Sequence, residues 1–342
     1  MGGVDRGWPI LVVLIAALVL SAGMIALLRP LFRRYAMARP NARSSHREPT
    51  PQGGGVAVVA ATLVVAWFAW IVLVPEGSAS SFYYAVLTAG AVLLALVGAA
   101  DDIWLLPALP RLLAQFIAVG LVIAVIPGDM RLVPLLPVLL ERALLVIAGV
   151  YFVNLVNFMD GIDWITVAEI VPITGGLLLL GWLGAISPSA MVLAAALLGA
   201  TLGFAPANRP TASLFLGDVG SLPIGLLLGW LLLSLALRGH IAAALLLPLY
   251  YLADASLTLA RRIIAREPFW QAHRTHFYQR ATDRGFSVPQ IVARIFALNL
   301  LLVGLAVISV IQPTLAVTIA TLAAGLVLVG ILLAHLARGK KA

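Results

Sequence analysis

The chain has 342 residues, of which 62% are hydrophobic and only 11% charged, and a formal net charge of +8. Ordinary soluble domains carry about 25% charged residues, so a mean hydropathy of +1.08 excludes water as the main solvent of this chain. With no cysteine in the sequence, disulfides, thiolate zinc sites, iron–sulfur clusters and cysteine nucleophiles are excluded as well.

The apolar runs repeatedly reach the roughly 20 residues that a helix needs to cross a hydrocarbon core. The short alternating segments of a β-barrel are absent. The expected fold class is therefore an all-α polytopic integral membrane protein, a single transmembrane domain over residues 1–342. The first run, Trp8 to Leu28, is too long for a removable signal and lacks a small-residue cleavage site. Arg29, Arg33 and Arg34 follow it, which predicts a retained anchor with its N-terminus outside. Further spans are expected at approximately 53–74, 82–100, 111–126, 135–153, 165–184, 189–206, 222–237, 241–263, 290–311 and 313–336, about eleven in all.

The cations set the orientation. Arg33, Arg34, Arg39, Arg43 and Arg47 fall in one inner loop; Arg266, Arg274, Arg280 and Arg284 fall in another, with Arg261 and Arg262 at its edge. Arg338, Lys340 and Lys341 place the C-terminus in the cytoplasm, while Arg6, Arg131 and Arg238 remain as a sparse outer set. The inner loops then run over about 30–52, 101–110, 154–164, 207–221 and 264–289. The expected location is a bacterial inner membrane. A basic isoelectric point near 10.4 fits this loop bias. It does not indicate nucleic acid, because no basic stripe is interleaved with base-stacking aromatics.

Five inner-side clusters are equipped for chemistry. Pro49-Thr50-Pro51-Gln52-Gly53-Gly54-Gly55, after His46 and Arg47, either turns the chain into a helix or presents backbone N–H groups to phosphate. No Lys-Ser/Thr follows, so it is not a P-loop. Asp101-Asp102 ends an apolar span, where two carboxylates oppose the helix dipole and repel each other unless a cation is near. They are either a solvated helix end or a metal or proton-transfer site. Asn154, Asn157 and Asp160 recur every third residue and can share one face of a helix end, with Gly161 allowing a sharp exit before Asp163. Such a polar stripe leaving an apolar span is costly unless it meets a ligand, water or another polar group.

Asn208 precedes Phe215-Leu216-Gly217-Asp218-Val219-Gly220-Ser221. Asp218 between two glycines is either a turn or a place where backbone N–H groups approach an anion while the carboxylate holds a hard cation. His273-Arg274-Thr275-His276 can bring two imidazoles to one helical face, for a zinc pair or, with Arg274 and Arg280, a diphosphate. Glu141, Glu169 and Asp254 are the acids placed deeper, and they keep a secondary transporter of an anionic solute as the rival reading. No internal repeat supports it.

In combination these motifs resemble those of the polyprenyl-phosphate N-acetylhexosamine-1-phosphate transferases, over nearly the whole chain and in the same order. The resemblance implies attack of polyprenyl phosphate on a UDP-N-acetylhexosamine, giving polyprenyl-diphospho-sugar and UMP. It implies Mg²⁺, with Mn²⁺ as a substitute, held by Asp218. Asp101 becomes a base or phosphate-positioning residue with Asp102 as its partner, and Asp160 and Asp163 become nucleotide-side aspartates. It assigns Phe215 to uracil, and His273, Arg274 and His276 to diphosphate or sugar, with Asn154, Asn157 and Asn208 lining the substrate. Asp254 is expected in a buried structural ion pair with the following Arg261 and Arg262. Two departures stand out: Trp164-Ile165 replaces the family's usual Gly-Leu after Asp163, and the final loop reads His-Arg-Thr-His. The latter resembles the branch that starts O-antigen or capsule chains. A homodimer is compatible with the apolar spans, though nothing in the sequence demands one.

Overall fold

The computed structural model describes residues 7–35, 37–38, 49–74, 80–267 and 273–339. Arg6, Arg39, Arg43, His46, Arg47, Lys340 and Lys341 lie outside the described residues.

The chain folds as a helical bundle: α1 (Gly7–Tyr35), α2 (Gly54–Leu73), α3 (Ser80–Trp104), α4 (Ala108–Ala124), α5 (Val138–Met159), α6 (Ile165–Trp182) and α7 (Pro188–Phe204). It continues with α8 (Asp218–Leu237), α9 (Ile241–Leu246), α10 (Leu249–Ile264), α11 (Phe277–Asp283), α12 (Val288–Ile311) and α13 (Leu315–Arg338). The all-α expectation needs one small addition. β1 (Met37–Ala38) pairs antiparallel with β2 (Thr50–Pro51), and Gln52 continues the pairing to Phe215.

Among the described residues, eight helices (α1, α2, α3, α5, α6, α8, α12 and α13) are long and apolar enough to cross a membrane. Helices α4 and α7 are apolar but shorter, at 17 residues each. The expected span 241–263 is divided in two. Pro248 has no N–H to continue the helix, so α9 stops at Leu246 and α10 restarts at Leu249. Helix ends also differ from the expected loops. The 101–110 loop begins only after Trp104, the 154–164 loop only after Met159, and α8 already starts at Asp218. Most of the candidate carboxylates and amides therefore ride on helix termini.

Apolar residues face outward as well as inward. Phe68, Leu139 and Leu315 are 71%, 82% and 76% exposed, which suits a lipid solvent. Helices α7 and α8 are buried on almost every face and form the centre of the bundle. Helix α7 is started by Ser187, whose hydroxyl accepts from the Ala190 N–H at 3.2 Å with Pro188 at the first helical position. Helix α1 lies across it at Gly199 and Gly203. A Cβ at either glycine would collide with the carbonyl of Leu14 or Leu18, so the pair lets two backbones meet. At the opposite end of α5 from its asparagines, Glu141 pairs with Arg131 and accepts the Leu132 and Val133 N–H groups. Buried Glu169 accepts from Asn299 at 2.6 Å and ties α6 to α12.

Candidate active site

The ends of α3, α4, α5 and α8 meet at one edge of the bundle. Gly98 makes the meeting of α3 and α8 possible, because a Cβ there would run into the Asp218 carbonyl. Three residues later the two neighbouring aspartates diverge, since successive helical residues point about 100° apart. Asp102 turns to α8. Its Oδ1 accepts the Asp218 N–H at 2.9 Å and its Oδ2 the Val219 N–H at 3.1 Å. The carboxylate of one helix thus caps the positive end of another. Gly217, at φ 78°, supplies the left-handed turn that this requires, and a side chain there would strike the Asp102 carboxylate.

Asp101 faces α4. Its Oδ2 receives Arg111 Nη1 at 2.7 Å and its Oδ1 the Leu106 N–H at 2.6 Å. The same Nη1 lies 3.6 Å from Asp218 Oδ2. Arg111 is the cation that the paired aspartates call for, and the sequence reading missed it. Asp218 Oδ1 accepts Asn157 Nδ2 at 2.8 Å, and that nitrogen lies 2.8 Å from Ser221 Oγ as well. Asn154, one turn earlier on α5, is spent on reciprocal amide bonds with buried Gln115 of α4. Asp101 and Asp218 therefore share the Arg111 guanidinium, with Asp102 beside them on the α8 N-terminus.

The glycine run opening α2 spends its Gly54 and Gly55 N–H groups within the protein. Gly54 and Gly55 donate their N–H groups to the Phe215 and Leu216 carbonyls at 2.9 and 2.8 Å. Phe215 returns its own N–H to the Pro51 carbonyl at 2.8 Å, and Gln52 Nε2 donates to the Asp102 carbonyl at 2.8 Å. Of the two sequence readings, the turn into the helix is the one that this bonding supports. These bonds hold the half-buried Phe215 beside the carboxylates.

Asp160 and Asp163 leave α5 in a turn of their own. Asp160 caps α5 rather than lying on its face, and accepts the Thr166 hydroxyl. Burial pushes its carboxyl up to about 6, with the Asp163 charge adding to the rise and the Thr166 bond opposing it. Asp163 Oδ2 accepts the Ala212 N–H at 2.9 Å. Asn208 Oδ1 accepts the Trp164 N–H at 2.8 Å, while its Nδ2 donates to the Leu214 carbonyl at 3.1 Å. Both are buried and shape the 205–215 loop. Gly161 was expected for its conformational freedom, but the left-handed residue here is Trp164, at φ 64°. That conformation costs a non-glycine residue about 1–2 kcal/mol. It is held by the indole N–H, which donates to the Ala205 carbonyl at 2.6 Å. Gly161 is needed for space, since a Cβ would meet the Tyr278 hydroxyl.

The titration of Asp160 gives a measurable result. Its folded value near 6 exceeds its ordinary 3.8, so between these values the folded state binds a proton that the unfolded chain does not. The stability this contributes is present in acid and lost as pH rises through about 6. The melting temperature of the wild type relative to Asp160→Asn should fall as pH rises from 5 to 7.5. A difference independent of pH would refute this account of the carboxyl.

The His273–His276 segment is extended rather than helical, yet the two rings do come together, stacked with centroids 4.9 Å apart. His276 leads into α11, and the Tyr278 hydroxyl donates to the Phe158 carbonyl at 3.1 Å. This places the imidazoles against the turn that carries Asp160. Arg274 bonds Thr282 at 2.9 Å and lies 3.3 Å from Asp283. Asp254 does not form the expected ion pair with the arginines that follow it. Its partner is His276, at 3.2 Å, because α10 turns Arg262 toward Glu267 and Arg261 over the Phe277 ring.

A multi-pass helical bundle with its acidic, amide and imidazole groups gathered at one edge defines a membrane-embedded enzyme, and comparison with known proteins identifies the class. The sequence model described as Glycosyl transferase family 4 matches residues 84–236. The chain is 30% identical over 326 residues to the decaprenyl-phosphate N-acetylglucosaminephosphotransferase of Mycobacterium leprae, covering 84% of this chain and 80% of that protein. It is 25% identical over 302 residues to a probable undecaprenyl-phosphate N-acetylglucosaminyl 1-phosphate transferase of Bacillus subtilis, covering 80% and 78%. A phospho-N-acetylmuramoyl-pentapeptide-transferase of Rhodopseudomonas palustris is 31% identical over 171 residues, covering 44% and 46%. The chain belongs to glycosyl transferase family 4, the polyprenyl-phosphate hexosamine-1-phosphate transferases.

Proposed function

We propose that this enzyme transfers N-acetylhexosamine-1-phosphate from a UDP-sugar to polyprenyl phosphate. A phosphate oxygen of the lipid forms a bond to the β-phosphorus, the bond from that phosphorus to the bridging oxygen breaks, and UMP leaves. The observation that carries this reading is the cluster at a helix-bundle edge in which Asp101 and Asp218 share Arg111 and Asp102 caps the helix that begins at Asp218. Joining two anions calls for charge neutralisation and positioning more than for covalent chemistry by the protein.

The donor set fits a hard divalent cation. Asp101 and Asp218 share one guanidinium, Asp218 also accepts from the Asn157 amide, and Mg²⁺ is commonly held through one or two carboxylates plus substrate phosphates. Among the described residues no three acidic or histidine side chains form a complete cage, so diphosphate oxygens would fill the remaining positions. When bound, Mg²⁺, or Mn²⁺ in its place, supplies charge compensation for the diphosphate. Asp218 is the ligand we assign to it. Asp101 positions Arg111 and the incoming phosphate, while Asp102 locks α8 in place as a cap. Asn157 orients Asp218, and Asn154 keeps α5 in register through Gln115. Phe215 offers its ring to the uracil and Asp160 faces the nucleotide. Asp163 and Asn208 act by holding the loop, and His273, Arg274 and His276 take the diphosphate or sugar side.

The acceptor is a polyprenyl phosphate, as it is for the decaprenyl and undecaprenyl relatives, and N-acetylglucosamine is the first sugar to test. We place the site on the cytoplasmic side of a bacterial inner membrane, with an outside N-terminus. In that arrangement α4, α7 and the broken α9–α10 pair complete eleven crossings. The product would start an O-antigen or cell-wall glycan. The deeper acids offer little to a transporter, since Glu141, Glu169 and Asp254 are each tied to donors.

The test is UMP release by the purified protein in detergent, with undecaprenyl phosphate, Mg²⁺ and a panel of UDP-N-acetylhexosamines. Release should require both lipid and cation. UMP formed equally well without lipid, or none formed from any donor by well-folded protein, would overturn the proposal.

A further inference from the structure

Asp254 sits inside the bundle with no exposed surface, near the start of α10. Its two oxygens have five polar partners. Oδ1 lies 3.2 Å from His276 Nδ1 and accepts from the Phe277 N–H at 3.0 Å and Thr258 Oγ1 at 3.3 Å. Oδ2 accepts from the Tyr278 N–H and the Tyr250 hydroxyl, both at 3.2 Å. Three of these partners belong to the consecutive residues 276–278, so one carboxylate organises the whole junction between the histidine segment and α11. Ligand-binding imidazoles elsewhere are often set by such a partner on their far nitrogen.

We propose that Asp254 is a positioning residue that acts through His276 on the anionic diphosphate of the sugar donor. An ionised carboxylate can only accept, so the ring nitrogen facing it, Nδ1, carries the hydrogen. Nε2 is then the nitrogen offered to the ligand. The ring plane is fixed by its neighbours. His276 stacks between His273, at 4.9 Å, and Tyr278, at 5.7 Å. Asp254 removes the remaining freedom, rotation about the ring's own axis. The junction is clamped to the Asp160 turn through the Tyr278 hydroxyl, so the imidazole has a set place relative to the carboxylate cluster. Among the described residues Asp254, His273 and Tyr278 face this ring, Tyr250 shares the Asp254 carboxylate, and Arg274 and Asp160 act on the neighbouring Tyr278.

The inference rests on the reading of His276 as a ligand of the donor, and two measurements separate the two ideas. The first needs no activity. In full-length protein carrying ¹⁵N-histidine, with the His276 signal identified by its loss in His276→Gln, Nδ1 should bear a hydrogen-bonded proton. An Nδ1 without a proton overturns the role of Asp254, whatever the enzyme's substrate. The second is a kinetic cycle on UMP release. Asp254→Asn should lower kcat/KM for the UDP-sugar about ten- to a hundredfold and leave the KM for polyprenyl phosphate unchanged. Asp254→Glu should recover part of the loss. Added to His276→Ala, Asp254→Asn should cost nothing further, because both act through one ring. Losses that multiply, or that fall equally on lipid and nucleotide sugar, would show Asp254 to be a scaffold alone. If Asp254→Asn does not yield folded protein, the ¹⁵N measurement on the unaltered junction decides. Full activity of His276→Ala, with Nδ1 protonated, would leave the Asp254 bond standing and remove the ligand reading of the imidazole.

Discussion

Replacing Asp218 with asparagine is expected to cut turnover by about a thousandfold, about 4 kcal/mol in the activation barrier. The substitution conserves shape. An amide oxygen can still accept from Asn157, and the backbone N–H groups capped by Asp102 are untouched. What is lost is one negative charge at the point where Arg111, the amide of Asn157 and the donor diphosphate converge. The fold should survive, since two carboxylates that repel Asp218 lie close by and their repulsion is relieved. UMP release at saturating Mg²⁺, read beside the melting temperature, checks both halves. An Asp218→Asn enzyme with near-normal turnover would end the assignment of Asp218 as metal ligand.

Arg111→Ala should have the next largest effect, about a hundredfold in kcat/KM. Its Nη1 lies 2.7 Å from Asp101 and 3.6 Å from Asp218, so its removal takes away the cation those two carboxylates share. Phosphate approach then meets uncompensated negative charge. Stability should change by only about 1 kcal/mol, because the arginine side chain is 30% exposed and solvent screens the pair. Arg111→Lys should recover part of the rate, as a point charge without the planar fork. Initial rates varied in lipid and in UDP-sugar would show where the loss falls. An alanine variant as fast as the wild type would leave Arg111 a purely structural partner of Asp101.

The groups that could be read from sequence were those that hydropathy makes conspicuous. Asp101-Asp102, Asn157 and Asp218 each interrupt apolar runs, and an ionisable group in such a place seldom lacks a partner. Arg111 and Gln115 interrupt a run too, but singly and at its beginning, where a cation looks like ordinary positive-inside bias. Their importance lies in partners 10 and 39 residues away. Pro248 was hidden for a different reason. Between Leu247 and Leu249 it is apolar enough to extend a hydropathy window, and only the missing N–H reveals a break. The glycines show how one residue type answers several needs. Gly217 supplies a positive φ, Gly98 and Gly161 supply room, and the positive φ expected near Gly161 falls on Trp164 instead. Asp254 is buried as expected, but its partner His276 lies 22 residues on, and sequence proximity to Arg261 and Arg262 misleads.

The cap that Asp102 places on α8 also shapes how substrates must arrive. A helix N-terminus is ordinarily a ready berth for phosphate, and here the protein has moored its own anion in it. An incoming diphosphate would not draw on that dipole, and it would meet the carboxylates of Asp101, Asp102 and Asp218 beside Arg111. On the proposed reading, nucleotide and divalent ion would therefore travel as mutual escorts, each entering more readily when the other is present. By thermodynamic reciprocity, whatever factor the ion lends to nucleotide affinity, the nucleotide returns to the ion.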